Sequence, residues 1–134
     1  MSLRSKSIIK ATLVSISLAL AINLLLFFLM TSKGWLIADL SYTPENAPKS
    51  IGPNDIIYAT VTPMILGALL YALLMRYTRN PNWVYWTFAL LLLFLSFINP
   101  FMIPGIDIST AVCLNVMHVV CAVISATVLT KMVK

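Results

Sequence analysis

Four stretches of this chain carry no formally charged side chain, and each approaches the ~20 residues a helix needs to cross ~30 Å of hydrocarbon. They run over about 11–31, 56–75, 83–102 and 108–130. Hydrocarbon holds no water to take up an unpaired backbone N–H or C=O, so each stretch must satisfy its own backbone and is predicted to be helical. β-Branched residues such as Val119 and Val120 do not alter that expectation. The connections carry their own signals. The first, over 32–55, is long and polar and holds Pro44, Pro48, Gly52 and Pro53. The second, over 76–82, is short and pairs the helices it joins tightly, with Pro81 suited to a first helical turn. The third holds Asn99, Pro100, Pro104 and Gly105. The predicted fold is all-α: one domain over 1–134, an antiparallel four-helix transmembrane bundle, with no internal repeat or linker.

Composition excludes the soluble alternative. Hydrophobic residues make up 60% of the chain and charged residues 10%, against ~45–50% and ~25% in soluble domains. The formal charge of +5 does not point to nucleic acid, because the basic residues flank apolar runs instead of sharing one face. Their distribution gives orientation instead. Arg4, Lys6, Lys10, Arg76, Arg79, Lys131 and Lys134 fall on one side, seven in all, against Lys33 and Lys49 on the other. The four acids, Asp39, Glu45, Asp55 and Asp107, all lie with the latter pair. The positive-inside bias therefore places both termini in the cytoplasm, N-in and C-in. Trp83, Tyr85 and Trp86 are expected at the inner interface and Trp35 and Tyr58 at the outer one. The first segment exceeds the ~7–15 residues of a signal-peptide core and is expected to be retained. Cys113 and Cys121 lie eight residues apart, ~12 Å along one helix. That is too far for a disulfide, and they read as small buried hydrophobes.

Polar residues within the spans are placed by depth. His118 and Asn23 come near mid-membrane; Asn115, Ser96, Asn99, Thr60 and Thr62 fall in the outer half. Such groups are costly in lipid unless paired, and they mark function often. At ~100° per residue, Ala111, Asn115, Cys121, Ala122 and Ser125 share the His118 face, which is small and polar and suited to neighbouring helices. His118 admits three readings: a packed imidazole donating to Asn23, Asn115 or a carbonyl; a ligand-binding or proton-handling group; a metal or haem ligand. The last needs another chain, since there is no second histidine and Met117 points elsewhere on the helix. Thr60, Pro63 and Gly67 share a face of the second helix. There Pro63 frees the Ala59 carbonyl, giving either a packed kink or a widened pocket. Asp55 reads as an N-cap or first-turn acid. Arg76 and Arg79 are expected at lipid headgroups.

From Arg76 onward, short motifs resemble a family of small bacterial four-helix integral membrane proteins, the domain of unknown function numbered six-zero-six-nine. They are Arg76-Tyr77-Thr78, Trp86-Thr87, Leu95-Ser96 with Pro100, and Met117-His118, joined by Ile51-Gly52-Pro53 before the second helix. The first helix is similar only in hydropathy. The longer first loop, and Asn99 before Pro100, depart from the pattern. The resemblance implies the fold and the bacterial membrane and no activity.

The sequence contains no nucleophile beside a base, no phosphate-binding glycine loop and no charged group inside a span. A non-enzymatic role without cofactor or metal is expected: binding of a partner protein, lipid or small ligand in an outward-facing polar pocket. Asn23, Thr60, Ser96, Asn99, Asn115 and His118 would line it, with the first loop as a lid. Membrane lipids are expected partners, together with a second copy or another membrane protein, and no nucleic acid. The alternatives are a subunit of an oligomeric transporter or channel, and a haem- or quinone-linked redox protein.

Overall fold

In a computed structural model, residues 3–39 and 50–133 are described. The expectations attached to Pro44, Glu45, Pro48, Lys49 and Lys134, and to the middle of the first loop as a lid, lie outside those residues. The described chain folds into α1 Leu3–Ser32, α2 Pro53–Tyr77, α3 Pro81–Ser96, the single turn α4 Ile98–Phe101, and α5 Ile108–Met132. Four helical segments, with α3 and α4 taken as one, are long and apolar enough to cross a membrane. Three of them outrun the uncharged stretches that announced them. Hydropathy marks where lipid contact ends, whereas Arg and Lys are good helix formers and let the coil continue. α1 accordingly runs through Arg4, Lys6 and Lys10.

The helix ends follow local chemistry. α1 closes on Gly34 at φ +73°, with the Trp35 N–H bonded to the Met30 carbonyl and the Gly34 N–H to that of Thr31. This is a left-handed glycine cap, which satisfies carbonyls the helix leaves orphaned. α2 is capped by Gly52, with Pro53 in its first turn, so Asp55 is not the N-cap. Asp55 instead accepts the Gly52 N–H at 2.7 Å from the third helical position. The third predicted helix is interrupted at Phe97, which divides α3 from α4. Asp107 caps α5 by accepting the Thr110 N–H at 3.1 Å. Burial raises the Asp107 carboxyl pKa, but hydrogen bonds from Thr110, Ser109 and its own N–H outweigh that and hold it below the ordinary value.

The buried positions form stripes at four-residue spacing. In α1 they are Ala11, Ser15, Ala19, Asn23, Phe27 and Met30; in α2, Ile56, Thr60, Met64, Ala68 and Tyr71. In α5 the stripe is Cys113, Met117, Cys121, Ser125 and Leu129, flanked by Thr110, Ala111 and Ala126. Small residues on facing stripes let backbones approach, which is how helices associate where lipid removes the hydrophobic drive. α1, α2 and α5 make the core, and α3 rests on α2 and α5. Beyond the stripes, Leu, Phe, Ile and Val side chains face outward along every helix.

Two side chains depart from expectation, and one loop residue joins the core. Tyr85 is not an interfacial anchor: it is 3% exposed and is the one buried residue of α3. Its hydroxyl shares a 2.8 Å hydrogen bond with Ser125, and its ring meets Tyr71 edge-on at 5.0 Å. A Cβ added at Gly67 would lie 2.8 Å from that hydroxyl, so the glycine admits the ring. Leu36, in the loop after α1, is 1% exposed. The loop is strapped to the first turn of α5, with the Ile37 N–H donating to Thr110 and Ser109 donating to the Trp35 carbonyl. Cys121 is more than a small hydrophobe, because it accepts a hydrogen bond from Asn23.

Candidate functional site: a cavity between α1, α2 and α5

Asn23 sits on the buried stripe of α1, 1% exposed. Its amide Nδ2 donates to Thr60 Oγ1 on α2 at 3.0 Å and to Cys121 Sγ on α5 at 3.2 Å. One side chain thus ties three helices together. Its Oδ1 is buried and has no partner. A buried acceptor without a donor costs about 1–3 kcal/mol, so the arrangement persists only where other contacts hold it or a ligand completes it.

That side chain lines a cavity of about 370 Å³ near the start of α2 and α5. Thr60 and His118 line it too, with apolar walls from Ile56, Ile103, Leu114 and Met117. Ser50, Asp55 and Asn99 also line it. His118 Nδ1 is buried and unpartnered. Asn23 and His118 therefore border the same space, each with a free hydrogen-bonding atom, and His118 makes none of the intramolecular bonds expected of a packed imidazole. Pro63 has no N–H to offer the Ala59 carbonyl, and Ala59 lines the cavity. Thr60 does not relieve that carbonyl. Its hydroxyl takes the Asn23 amide instead.

A second space of about 800 Å³ lies between α2, α3 and α5. Ala59, Asn99, His118 and Cys121 border both cavities, so they form the partition. Ser96 belongs to the second cavity alone, and its hydroxyl is held by the Leu93 carbonyl at 2.8 Å. Asn115 lines neither cavity; its amide donates to the Phe97 carbonyl at 3.2 Å. It braces the interruption between α3 and α4, where the helical ladder is broken. Of the six residues named from sequence, Asn23, Thr60, Asn99 and His118 meet at the first cavity, while Ser96 and Asn115 do not. Met117, Asp55 and Ser50 were not anticipated as lining. The Asn99 and Asp55 side chains stand at exposed positions.

Arg76 and Arg79 are exposed around the end of α2, and the Arg76 guanidinium lies 5.7 Å from the Tyr77 ring. Among the described residues, no group of three His, Cys, Asp or Glu side chains is placed to hold a metal ion.

Residues 3–134 match the model of a family described as a family of unknown function (DUF6069), and the chain belongs to that family. The match takes in α1, which the short motifs did not reach. No curated protein and no solved structure matches the chain.

Proposed function

We propose that this chain is a non-enzymatic binding protein of a bacterial inner membrane, holding a small ligand in the cavity bordered by Asn23, Thr60, Asn99 and His118. In this reading the four long helical segments run antiparallel with both termini cytoplasmic, and the cavity opens toward the outer face. Seven basic residues against two support the orientation, and exposed Arg76 and Arg79 then sit among inner headgroups. The bond from Ser7 to the Met132 carbonyl, which ties the start of α1 to the end of α5, is compatible with it.

The observation that carries the ligand reading is that two residues lining one cavity, Asn23 and His118, each hold a buried unpartnered atom, Oδ1 and Nδ1. The cavity volume of about 370 Å³ is at the lower end of small-molecule sites, which span ~300–1,000 Å³. Mostly apolar walls with a few convergent polar atoms are the ordinary makeup of such sites.

Native mass spectrometry of gently extracted protein tests the proposal. The wild type is expected to carry a noncovalent adduct that His118→Phe loses. His118 bonds to nothing in the protein, so the thermal midpoint of that variant should hold or rise. An adduct retained equally by His118→Phe overturns the reading. The same spectrum reports stoichiometry, and a strict monomer removes the oligomeric transporter or channel alternative. A purified chain without visible absorbance removes the haem alternative.

A further inference from the structure

We infer that the ligand is a single-chain lipid with a neutral, hydroxyl-bearing head, whose hydrocarbon tail lies in the cleft between α2, α3 and α5 while its head enters the Asn23–His118 cavity. This rests on the ligand reading above and names the class of molecule. The two spaces adjoin, with Ala59, Asn99, His118 and Cys121 lining both. They differ in whether their own polar side chains are satisfied. The smaller space is lined by Asn23, whose buried Oδ1 has no partner. The larger one is walled by Leu66, Leu70, Ala89, Leu92 and Leu95. Of the polar side chains that line it alone, Tyr85 and Ser125 bond to each other at 2.8 Å and Ser96 bonds to the Leu93 carbonyl; Asn99 and His118 line both spaces. An amphiphile matches that division and a uniformly polar solute does not.

Length and charge narrow the class further. Along α2 the cleft lining extends from Ala59 to Leu70, about 16 Å at 1.5 Å per residue. That is close to half of the ~30 Å hydrocarbon thickness, the depth of one leaflet. Neither cavity is lined by Lys or Arg among the described residues, and Asp55 borders the smaller one. A carboxylate or phosphate head would meet an acid and no fixed cation. A hydroxyl head donates to Asn23 Oδ1 and exchanges a bond with His118 Nδ1, matching both free atoms. The tail leaves bulk lipid for an equally apolar wall, so it gains little affinity there. Its role is to deliver the head at the right depth. Leu66, Leu92 and Leu95 are more than half exposed, which leaves the cleft open sideways to lipid.

The test uses the full chain in liposomes with a monoacylglycerol carrying a photoreactive group midway along its tail. Labelling is expected at Leu66, Leu70, Ala89 or Leu92, competed by unlabelled monoacylglycerol and not by the fatty acid of equal length. Ala122→Phe, which fills the cleft from α5, should cut labelling about fivefold or more if overpacking there acts as it does in cores. Leu92→Trp narrows the exposed rim without entering a packed core and should do the same if Ala122→Phe misfolds. A short diol, 1,2-hexanediol, measured by thermal shift, probes the head cavity alone. If the diol needs His118 while the long probe ignores both cleft variants, the tail assignment fails and the pocket survives. If neither probe depends on His118, the pocket reading fails and this inference with it. Equal competition by the fatty acid overturns the neutral head.

Discussion

Gly67→Ala should destabilise this protein, although the same change in a free helix would stabilise it. The added methyl lies 2.8 Å from Tyr85 Oη and 3.6 Å from Ser125 Oγ. The first distance is well inside the ~3.5 Å at which nonbonded heavy atoms begin to attract. The tyrosine has little room to retreat, because its hydroxyl is bonded to Ser125 and its ring is packed edge-on against Tyr71. Overpacking of this kind costs about 1–3 kcal/mol. Breaking the Tyr85–Ser125 bond adds ~0.6 kcal/mol, and ~1.7 at most, on the scale measured between transmembrane helices. Replacing a helical glycine by alanine returns ~1 kcal/mol. The balance is a loss of about 0.6–3.7 kcal/mol. Reversible unfolding in mixed micelles, titrated with a denaturing detergent, reads the difference. The decisive comparison is the Tyr85→Phe background, where the obstructing oxygen is gone. There Gly67→Ala should be neutral or stabilising by up to ~1 kcal/mol. A stabilised Gly67→Ala in the wild-type background, or an equal effect in both backgrounds, refutes the claim that the hydroxyl sets the need for glycine.

The bond between Asn23 and Thr60 should register as coupling. In a double-mutant cycle of Asn23→Leu and Thr60→Val, the two changes should miss additivity by ~0.6–1.7 kcal/mol, and additivity within ~0.3 kcal/mol would deny the bond. Asn23→Leu alone should be near neutral, since it also removes an unpartnered buried oxygen. Asp107→Ala should cost about 1 kcal/mol through the lost N-cap, seen as a lower unfolding midpoint. Its carboxyl pKa is depressed in the fold, so its contribution is full above the unfolded value of ~3.9 and disappears as pH falls through the lower folded value. Asp107→Asn keeps a capping oxygen and should lose that acid dependence; an unchanged pH profile would count against the cap.

Helix number and approximate place were legible because a span must be long, uncharged and self-bonded, and those demands write themselves into composition. Which face each helix buries was not. In α1 the buried stripe includes Ala11, Ser15 and Ala19, while Leu13, Leu18 and Leu25 face outward. Lipid accepts apolar side chains on any face, so the hydrophobic periodicity that reveals a core in soluble helices is missing. Polar atoms were the better guide. Asn23, Thr60 and His118 needed company and gather at one cavity. Asn115 and Ser96 found carbonyl partners nearer at hand: the Phe97 carbonyl, between α3 and α4, takes the Asn115 amide, and Ser96 bonds within its own turn. Tyr85 was misplaced because an aromatic near a helix start fits an interface equally well. Gly67, on the preceding helix, makes the slot it fills.

The slight burial of α3 has an evolutionary corollary. Tyr85 is its one buried side chain, and Phe88, Leu90, Leu91, Leu92, Phe94 and Leu95 all stand exposed. Selection on those positions answers to the surrounding solvent more than to neighbouring atoms. Exchange among Leu, Ile, Phe and Val there should drift freely between related chains, Leu92 and Leu95 least of all, while Tyr85, Ser125 and Gly67 change only in concert.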